Sequence, residues 1–278
     1  MHNFLVALQS IDPVALRIGP LSVRWYGIAY ATGFLCAFML MRSFARRWKT
    51  GLSTDDLLTV LLYAIIGVVA GGRLGYCLFY GPGYYLSHPL EIPALWDGGM
   101  SFHGGFIGIL LGGYIASRQL KVSFLTVADL GAIGAPIGFG LGRIANFING
   151  ELWGRVTTSS WGIVFAGAGS GPRIPSQLLE ALLEGLVLFL IVLFLAYKKP
   201  PLPQGSIIGW LTIFYGCFRI FSEFFREPDV GIGFIAGNWL TMGIILSLPM
   251  VIGGIVVVAW SKKRGLLQEN AFQKSKLN

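Results

Sequence analysis

Residues 142–155, GRIANFINGELWGR, gather polar side chains that could bind an anion or move a proton in an otherwise apolar chain. They are Arg143, Asn146, Asn149, Glu151 and Arg155. A guanidinium group presents a planar fork of donors that matches a phosphate or a carboxylate. The stretch therefore predicts an anionic ligand, with Arg143 and Asn146 on the same helical face.

A second polar stripe runs through residues 209–229, GWLTIFYGCFRIFSEFFREPD. Its members are Tyr215, Arg219, Ser222, Glu223 and Arg226. Residues three and four apart share one face of a helix, so we expect Glu223 to pair with both Arg219 and Arg226 and hold them in place. A third stripe consists of Gln177, Glu180 and Glu184. The alternative for all these stripes is interhelical hydrogen bonding that only holds a bundle together.

The elements that must position these residues are membrane-spanning helices. The chain has 278 residues, of which 54% are hydrophobic and 12% charged, whereas soluble domains carry about 25% charged residues. We predict an all-α integral membrane protein with seven transmembrane helices. The predicted spans are residues 22–41, 56–80, 101–117, 124–146, 177–197, 206–225 and 239–260.

The remaining segments complete one polytopic domain over residues 1–265, followed by a cytoplasmic tail at 266–278. The N-terminal segment is broken by Pro13, Gly19 and Pro20 and is expected to lie at the interface. The loop 147–176 is expected to be extracytoplasmic, and its length and its Gly and Ser content make it mobile in this interpretation.

Charge asymmetry sets the predicted topology. Every lysine falls after span 1, 3, 5 or 7, which places these loops in the cytoplasm and the N-terminus outside. The eight basic residues outside these cytoplasmic segments are all arginines, in outer loops or outer parts of spans, among them Arg73, Arg143, Arg219 and Arg226. Their acidic partners are expected to be too few to neutralise them, which leaves the arginines for a ligand.

Depth along the helices brings the polar groups together. With a rise of about 1.5 Å per residue, Arg143 and Arg219 lie roughly 24 and 21 Å above the cytoplasmic ends of their spans. Arg73, Tyr26 and His103 fall at a similar level. Ionisable residues at such depth indicate function, and a lipid headgroup is the anion available there.

Several chemistries are not expected. The net charge of +8 comes from residues flanking the spans, so it does not indicate nucleic acid. The three cysteines lie scattered in apolar runs, and the three histidines form no metal-ligand cluster. A phosphate-binding P-loop, a nucleophile elbow and a zinc-protease motif are all missing. We therefore expect no metal, no cofactor and no covalent enzyme nucleophile.

Six motifs, in order along residues 5–260, carry a family resemblance. They are RWYGIAY (24–30), GGRLGYCLFY (71–80), DGGMSFHGG (97–105), GRIANFINGELWGR (142–155), PSQLLEALLEG (175–185) and the stripe from Tyr215 to Arg226. Together they resemble the prolipoprotein diacylglyceryl transferases, seven-span enzymes of the bacterial inner membrane. The resemblance implies transfer of diacylglyceryl from phosphatidylglycerol to the lipobox cysteine thiol of a preprolipoprotein signal peptide. The expected products are a thioether and glycerol 1-phosphate, the first step of lipoprotein maturation.

The resemblance also implies residue roles. Arg143 matches the phosphatidylglycerol-binding arginine, and His103 matches the proposed base. Positions that match others needed by the family are Tyr26, Asn146, Glu151, Gly154, Arg219 and Glu223. On chemical grounds we expect Arg143 and Arg219 at the phosphate, and we add Arg73, Tyr215 and Arg226 as substrate-binding candidates.

Two other functions fit the same residues. A lipid transporter or flippase with an outward-facing anionic headgroup site is the main alternative, although such folds often show inverted repeats and midplane sites. A non-catalytic lipid-binding scaffold is the other. In the enzyme interpretation the active site faces the extracytoplasmic side, the partners are phosphatidylglycerol and lipobox peptides, and the protein is monomeric.

Overall fold

The structure, a computed structural model, describes residues 11–19, 21–199, 201–228 and 233–272. Seven long helices occur in these ranges. They are α1 (Trp25–Arg47), α2 (Thr54–Tyr80), α3 (Phe102–Leu120), α4 (Phe124–Ile148), α5 (Ser176–Ala196), α6 (Ser206–Glu223) and α7 (Met242–Arg264). Each predicted span coincides with one of them to within four residues at each end, except that α1 continues to Arg47 and not to residue 41.

Five of these helices, α1, α2, α4, α5 and α7, are long and apolar enough to cross a membrane by their length and composition. The prediction of a helical multi-pass membrane protein is thereby confirmed at this coarser level. The other two, α3 and α6, have 19 and 18 residues.

A short β-hairpin departs from the all-α prediction. Strands β1 (Val14–Ile18) and β2 (Leu21–Arg24) pair antiparallel, and Gly19 between them has a φ of +59°. Asp12 joins the hairpin to α1, because its main-chain oxygen accepts a hydrogen bond from Nε1 of Trp25 at 2.9 Å. The described part of the segment that was expected at the interface thus belongs to a hairpin that leads directly into α1, and residues 1–10 lie outside the described residues.

The chain divides into two compact units, and the single polytopic domain over residues 1–265 stays a prediction. The first unit contains residues 1–41 and 131–267, and the second contains residues 42–130 and 268–278. Part of the predicted cytoplasmic tail therefore packs within the second unit. There Gln268 donates to Oδ2 of the buried Asp129 at 2.6 Å, and the amide of Ser123 donates to the carbonyl of Ala271 at 2.7 Å.

Glycines bring helices of the first unit into backbone contact. A Cβ added at Gly134 would lie 2.5 Å from the Cα of Ala37 on α1, and one added at Gly185 would lie 2.6 Å from the Cα of Gly140. The α4–α5 contact at Gly140 lies one turn from Arg143 and one residue from Glu184. Close packing of small residues thus brings these two charged residues together.

Helix α5 contains a π-helical segment, Ala181–Val187, next to the acidic residues. The segment starts directly after Glu180 and includes Glu184. Such widened turns are rare inside helices and occur frequently at functional sites. The sequence periodicity predicted a regular helix here and did not indicate this change.

The second unit is built on the α2–α3 pair. A Cβ at Gly108 would lie against the carbonyl of Gly67, and one at Gly104 would lie against that of Gly71. Helix α2 begins with a capping box in which Ser53 and Asp56 exchange hydrogen bonds. Between α2 and α3 the chain forms a short helix (Pro82–Ser87) and two 3-10 turns (Pro89–Glu91, Leu95–Asp97).

Candidate active site

A buried ion cluster in the first unit is centred on Glu180. Its Oε2 atom lies 2.9 Å from Nε of Arg143 on α4 and 2.9 Å from Nη1 of Arg219 on α6. Arg226, just beyond α6, approaches the same oxygen at 3.8 Å. The Glu180 side chain is only 1% exposed. One carboxylate on α5 therefore connects three arginines from the polar stripes of α4 and α6.

Glu184 lies one turn further along α5 and adds a second carboxylate to the same arginines. Its Oε2 is 3.2 Å from Nη2 of Arg143, and its Oε1 is 3.8 Å from Nη1 of Arg219. Tyr215 is buried on α6 with its ring packed on Phe139 of α4, at 5.1 Å between centroids. The packed ring and the paired carboxylates restrict how the two arginines can move.

Glu223 completes the cluster and confirms the pairing expected from its helical spacing. Its Oε1 forms an ion pair with Nη2 of Arg219, four residues earlier, and lies 3.8 Å from Nε of Arg226. Its Oε2 accepts a hydrogen bond of 2.6 Å from Thr241. Glu223 thus contacts the two arginines through Oε1 and the start of α7 through Oε2.

The expectation that acidic partners are too few is wrong. Three glutamates face three arginines, because α5 contributes Glu180 and Glu184 from a stripe that the sequence left open to simple bundle packing. The side chains of Arg143 and Arg219 still remain 18% and 14% exposed. Each guanidinium group is therefore oriented by carboxylates, while the arginine side chain is not completely enclosed.

Some buried acceptor atoms in and beside the cluster lack a hydrogen-bond partner in the part of the chain that the structure describes. Oε1 of Glu180, Oε1 of Glu184 and Oε1 of the neighbouring Gln177 are buried without a hydrogen-bond partner there. Buried polar atoms are normally satisfied, so such atoms require a reason. Such atoms are expected at a site where side chains exchange hydrogen-bond partners when a polar ligand binds.

A second polar network adjoins Arg143 and contains three of the predicted site residues. Tyr26 on α1 donates a hydrogen bond to Oε1 of Glu151, and Asn146 on α4 donates to the Tyr26 hydroxyl. Asn149 also donates to Oε1 of Glu151, at 3.3 Å. Gln177 on α5 donates to the main-chain oxygen of Glu151 at 2.6 Å. The structure thereby brings Tyr26, Asn146 and Glu151 together. Asn146 lies one turn along α4 from Arg143.

Gly154 has a backbone role in the loop after α4. Its amide donates to the carbonyl of Ile174 at 2.8 Å, and it forms an isolated β-bridge with Arg226. A Cβ at this position would lie 2.5 Å from the Ile174 oxygen and 2.6 Å from the Phe225 oxygen. Any larger residue would separate the loop from the end of α6, so Gly154 supports the cluster through Arg226 by packing.

The loop 147–176 has a small core of its own and is hydrogen-bonded to the end of α6, and its mobility stays a prediction. Phe147, Ile163 and Phe165 form a small buried core. Arg155 donates to the carbonyls of Arg226 and Glu223 at 3.0 and 3.3 Å. These contacts tie the loop to the end of α6, where Glu223 and Arg226 belong to the ion cluster.

Arg73 lies in the second unit and meets main-chain oxygens. It is 4% exposed, and it donates from Nε to Ile92 at 2.7 Å, from Nη1 to Gly98 at 2.5 Å and from Nη2 to Glu91 at 2.8 Å. This geometry makes Arg73 a structural link between α2 and the segment before α3. The predicted contact with substrate would require these hydrogen bonds to be exchanged.

His103 also belongs to the second unit, in the first turn of α3. It is exposed, and the N-cap of that helix is Ser101, whose hydroxyl accepts from the amide of Gly104 at 3.2 Å. Its role as a base stays a prediction. No group of three or more His, Cys, Asp or Glu residues that could hold a metal ion occurs in the described ranges.

Comparison with known proteins accounts for this arrangement. The model of the prolipoprotein diacylglyceryl transferase family matches residues 13–260. The chain belongs to this family. The phosphatidylglycerol–prolipoprotein diacylglyceryl transferase of Geobacter sulfurreducens is 50% identical over 255 residues, which cover 91% of this chain and 96% of that protein. The proteins of the same name from Oleidesulfovibrio alaskensis and Nitrosomonas europaea are 46% and 49% identical, over 93% and 95% of this chain and 96% and 94% of their own lengths.

The ion cluster contains both residues that the sequence predicted for the site and residues that it missed. Sequence reasoning identified Arg143, Arg219, Glu223 and Arg226 in the cluster but did not include Glu180 or Glu184 among the site residues. Their spacing of four residues on one span was the available signal. Thr241 gave no signal, because its contact with Glu223 joins two helices.

Proposed function

We propose that this chain transfers the diacylglyceryl group of phosphatidylglycerol to the lipobox cysteine thiol of a preprolipoprotein, and that Arg143 and Arg219 bind the phosphate. Family membership supports the reaction. The observation that carries the site assignment is the pairing of both arginines with Glu180 while each arginine side chain remains partly exposed. Arginines already held in this way need little reorganisation when charge develops beside them.

Negative charge develops on the phosphate during the reaction, and the phosphate is the group that the two arginines bind in this proposal. The cysteine sulfur attacks the glycerol carbon that bears the phosphate ester, and a C–S bond forms as the C–O bond breaks. The electron pair of the broken bond stays on the phosphate oxygen, so glycerol 1-phosphate leaves with one more negative charge than the diester carried. Arg143 and Arg219 stabilise this charge. The thiol proton goes to a base, for which His103 is the candidate, because the thiolate is the nucleophile.

The network of Tyr26, Asn146 and Glu151 fits the headgroup of the same lipid. A glycerol headgroup carries hydroxyl groups that both donate and accept hydrogen bonds, and a phenol, an amide and a carboxylate can serve both needs. Asn146 lies one turn from Arg143 on α4. In this proposal the network orients the headgroup while the arginines hold the phosphate.

The topology belongs to the same proposal. All seven long helices cross the bacterial inner membrane, with the N-terminus outside and the C-terminus in the cytoplasm, as the lysine distribution favours. The ion cluster then lies toward the extracytoplasmic side. The protein acts as a monomer on phosphatidylglycerol and lipobox signal peptides.

One assay tests the reaction. Purified protein, phosphatidylglycerol and a lipobox peptide are mixed, and the peptide mass and the release of glycerol phosphate are followed. We expect a gain of diacylglyceryl mass that matches the phosphate released, and none with a peptide whose cysteine is replaced by serine. Absence of both products, with lipid and peptide shown to be present, would refute the proposal. Movement of labelled lipid across liposomes without chemical change would indicate the flippase instead.

The base is tested separately through His103→Gln. If His103 accepts the thiol proton, the substitution should change the pH dependence of kcat/KM as well as its size. Wild-type protein at the same peptide and lipid concentrations is the reference. An unchanged pH profile would assign His103 a structural role and leave the phosphate assignment intact.

A further inference from the structure

The first turn of α7 touches the ion cluster at a point that the reaction does not explain. Glu223 sends Oε1 toward Arg219 and Arg226 and Oε2 toward Thr241. Thr241 is the N-cap of α7, and its hydroxyl also accepts from the amide of Ile244 at 3.3 Å. A hydroxyl has one proton. Since the Ile244 amide supplies its own hydrogen, the Thr241 proton is directed to Glu223.

Gly243 makes room for the same carboxylate. A Cβ at this position would lie 2.5 Å from Cδ, 2.5 Å from Oε1 and 2.9 Å from Oε2 of Glu223. The carboxylate therefore occupies the space of the missing side chain and packs against the start of α7. The amide groups and dipole of a helix N-terminus favour a negative charge in that position.

We propose that Thr241 and Gly243 are positioning residues for diacylglyceryl transfer, which fix the Glu223 carboxylate and through it the guanidinium group of Arg219. The hydrogen bond from Thr241 orients the carboxylate. The absence of a side chain at Gly243 lets the carboxylate pack closely against the start of α7. The inference rests on the assignment of Arg219 to the lipid phosphate. It extends the site to α7, a helix that carries none of the predicted site residues.

The substitution Gly243→Ala tests whether the space beside Gly243 positions the Glu223 carboxylate. An added methyl group must push the carboxylate away by about 1 Å to reach an ordinary contact of roughly 3.5 Å. A displacement of that size can reduce activity about 100-fold, so we expect a loss of that order in kcat/KM for phosphatidylglycerol. Displacing the carboxylate weakens the ion pairs of Glu223, and alanine partly offsets this loss because it favours a helix over glycine. The unfolding temperature in detergent should therefore fall by only a few degrees, and the variant should still fold.

Gly253→Ala on the same helix is the matched control, because a Cβ there meets nothing within 4 Å. Its activity should equal that of the wild type. Unchanged activity of folded Gly243→Ala would overturn the proposal. Inactive wild-type protein in the same assay would instead refute the proposed function, which keeps the two failures apart.

The hydrogen bond is tested by Thr241→Val and Thr241→Ser. We expect valine to lower kcat/KM for phosphatidylglycerol about 10-fold, because loss of a hydrogen bond to a charged group is worth roughly one order of magnitude. Serine should restore most of the activity. The KM for the lipobox peptide should stay unchanged in both variants, since the effect passes through the phosphate arginine.

Thr212→Val is the control for a lost threonine hydroxyl, because the Thr212 hydroxyl donates to the Ile208 carbonyl of its own helix, at 2.7 Å. Equal activity of the valine and serine variants at position 241 would overturn the proposal even if Gly243→Ala does not fold. A parallel rise in the peptide KM would do the same, because it would indicate general damage to the structure.

Discussion

Arg143 and Arg73 are buried arginines on long helices of the same chain, but their guanidinium groups meet different partners. Arg143 faces the carboxylates of Glu180 and Glu184 and keeps 18% of its side chain exposed. Arg73 faces the carbonyls of Glu91, Ile92 and Gly98. A phosphate can replace a carboxylate as a partner of like charge and geometry. It cannot replace main-chain carbonyls without moving the chain that carries them.

The difference separates an arginine that can accept a ligand from one that holds a segment in place. Both types look alike in the sequence, since each is a lone basic residue at the same expected depth in an apolar span. The partners therefore decide the role, and substitutions that alter the partners should distinguish the two regions.

The largest effect is expected for Arg143→Lys. Lysine keeps the charge but loses the bidentate fork, and loss of one transition-state donor costs about 100- to 1000-fold in rate. We expect kcat/KM for phosphatidylglycerol to fall by that order, with the protein still folded in detergent. Steady-state kinetics and thermal unfolding measure both. Full activity would mean that Arg143 does not clamp the phosphate.

Glu180→Gln should come next. The neutral amide leaves Arg143 and Arg219 with one carboxylate fewer, and breaking a buried ion pair destabilises a protein by about 3–5 kcal/mol. Misplaced arginines should lower kcat about 100-fold. Because the amide competes less for the arginines, the KM for phosphatidylglycerol should not rise.

Glu227→Gln is the matched control for Glu180→Gln. Glu227 pairs with Arg173 at 3.2 Å but its side chain is 43% exposed. An exposed pair contributes about 0–1 kcal/mol, so both kinetics and stability should stay near wild type. Equal effects of the two substitutions would contradict the central place of Glu180.

Arg73→Lys should affect stability more than catalysis. One ammonium group cannot replace the fork that reaches three carbonyls, and each buried group left unsatisfied costs about 1–3 kcal/mol. We expect a lower unfolding temperature and faster hydrogen exchange in residues 91–99. The KM for phosphatidylglycerol should be unchanged. A large rise in that KM would instead place Arg73 at the substrate.

Gly154→Ala should show the smallest effect and should resemble Arg73→Lys. The added methyl group meets the Ile174 and Phe225 carbonyls, and such overpacking costs about 1–3 kcal/mol. Gly171→Ala in the same loop is the control, because a Cβ there lies 3.6 Å from Val156, an ordinary contact. A selective change in lipid KM in Gly154→Ala would support direct substrate binding by this position.

The features that depend on local periodicity and composition could be predicted from the sequence. The lengths of the apolar runs predicted the positions of all seven helices, because a span needs about 20 apolar residues. The spacing of Arg219, Glu223 and Arg226 predicted their ion pairs, because residues three and four apart meet on any helix. The motifs from Tyr26 to Arg226 indicated the family before any contact was known.

Which helix faces meet to complete the site depends on the packing of the helices against one another. Glu180 meets arginines from α4 and α6, Arg73 meets carbonyls 18 to 25 residues away, and Thr241 meets Glu223 across two helices. Periodicity tells which residues share a face, but the rotation and lateral position of each helix come from packing, such as the contact of Gly140 with Gly185. For this reason the sequence identified the arginines, and the fold determined which of them have carboxylates as partners.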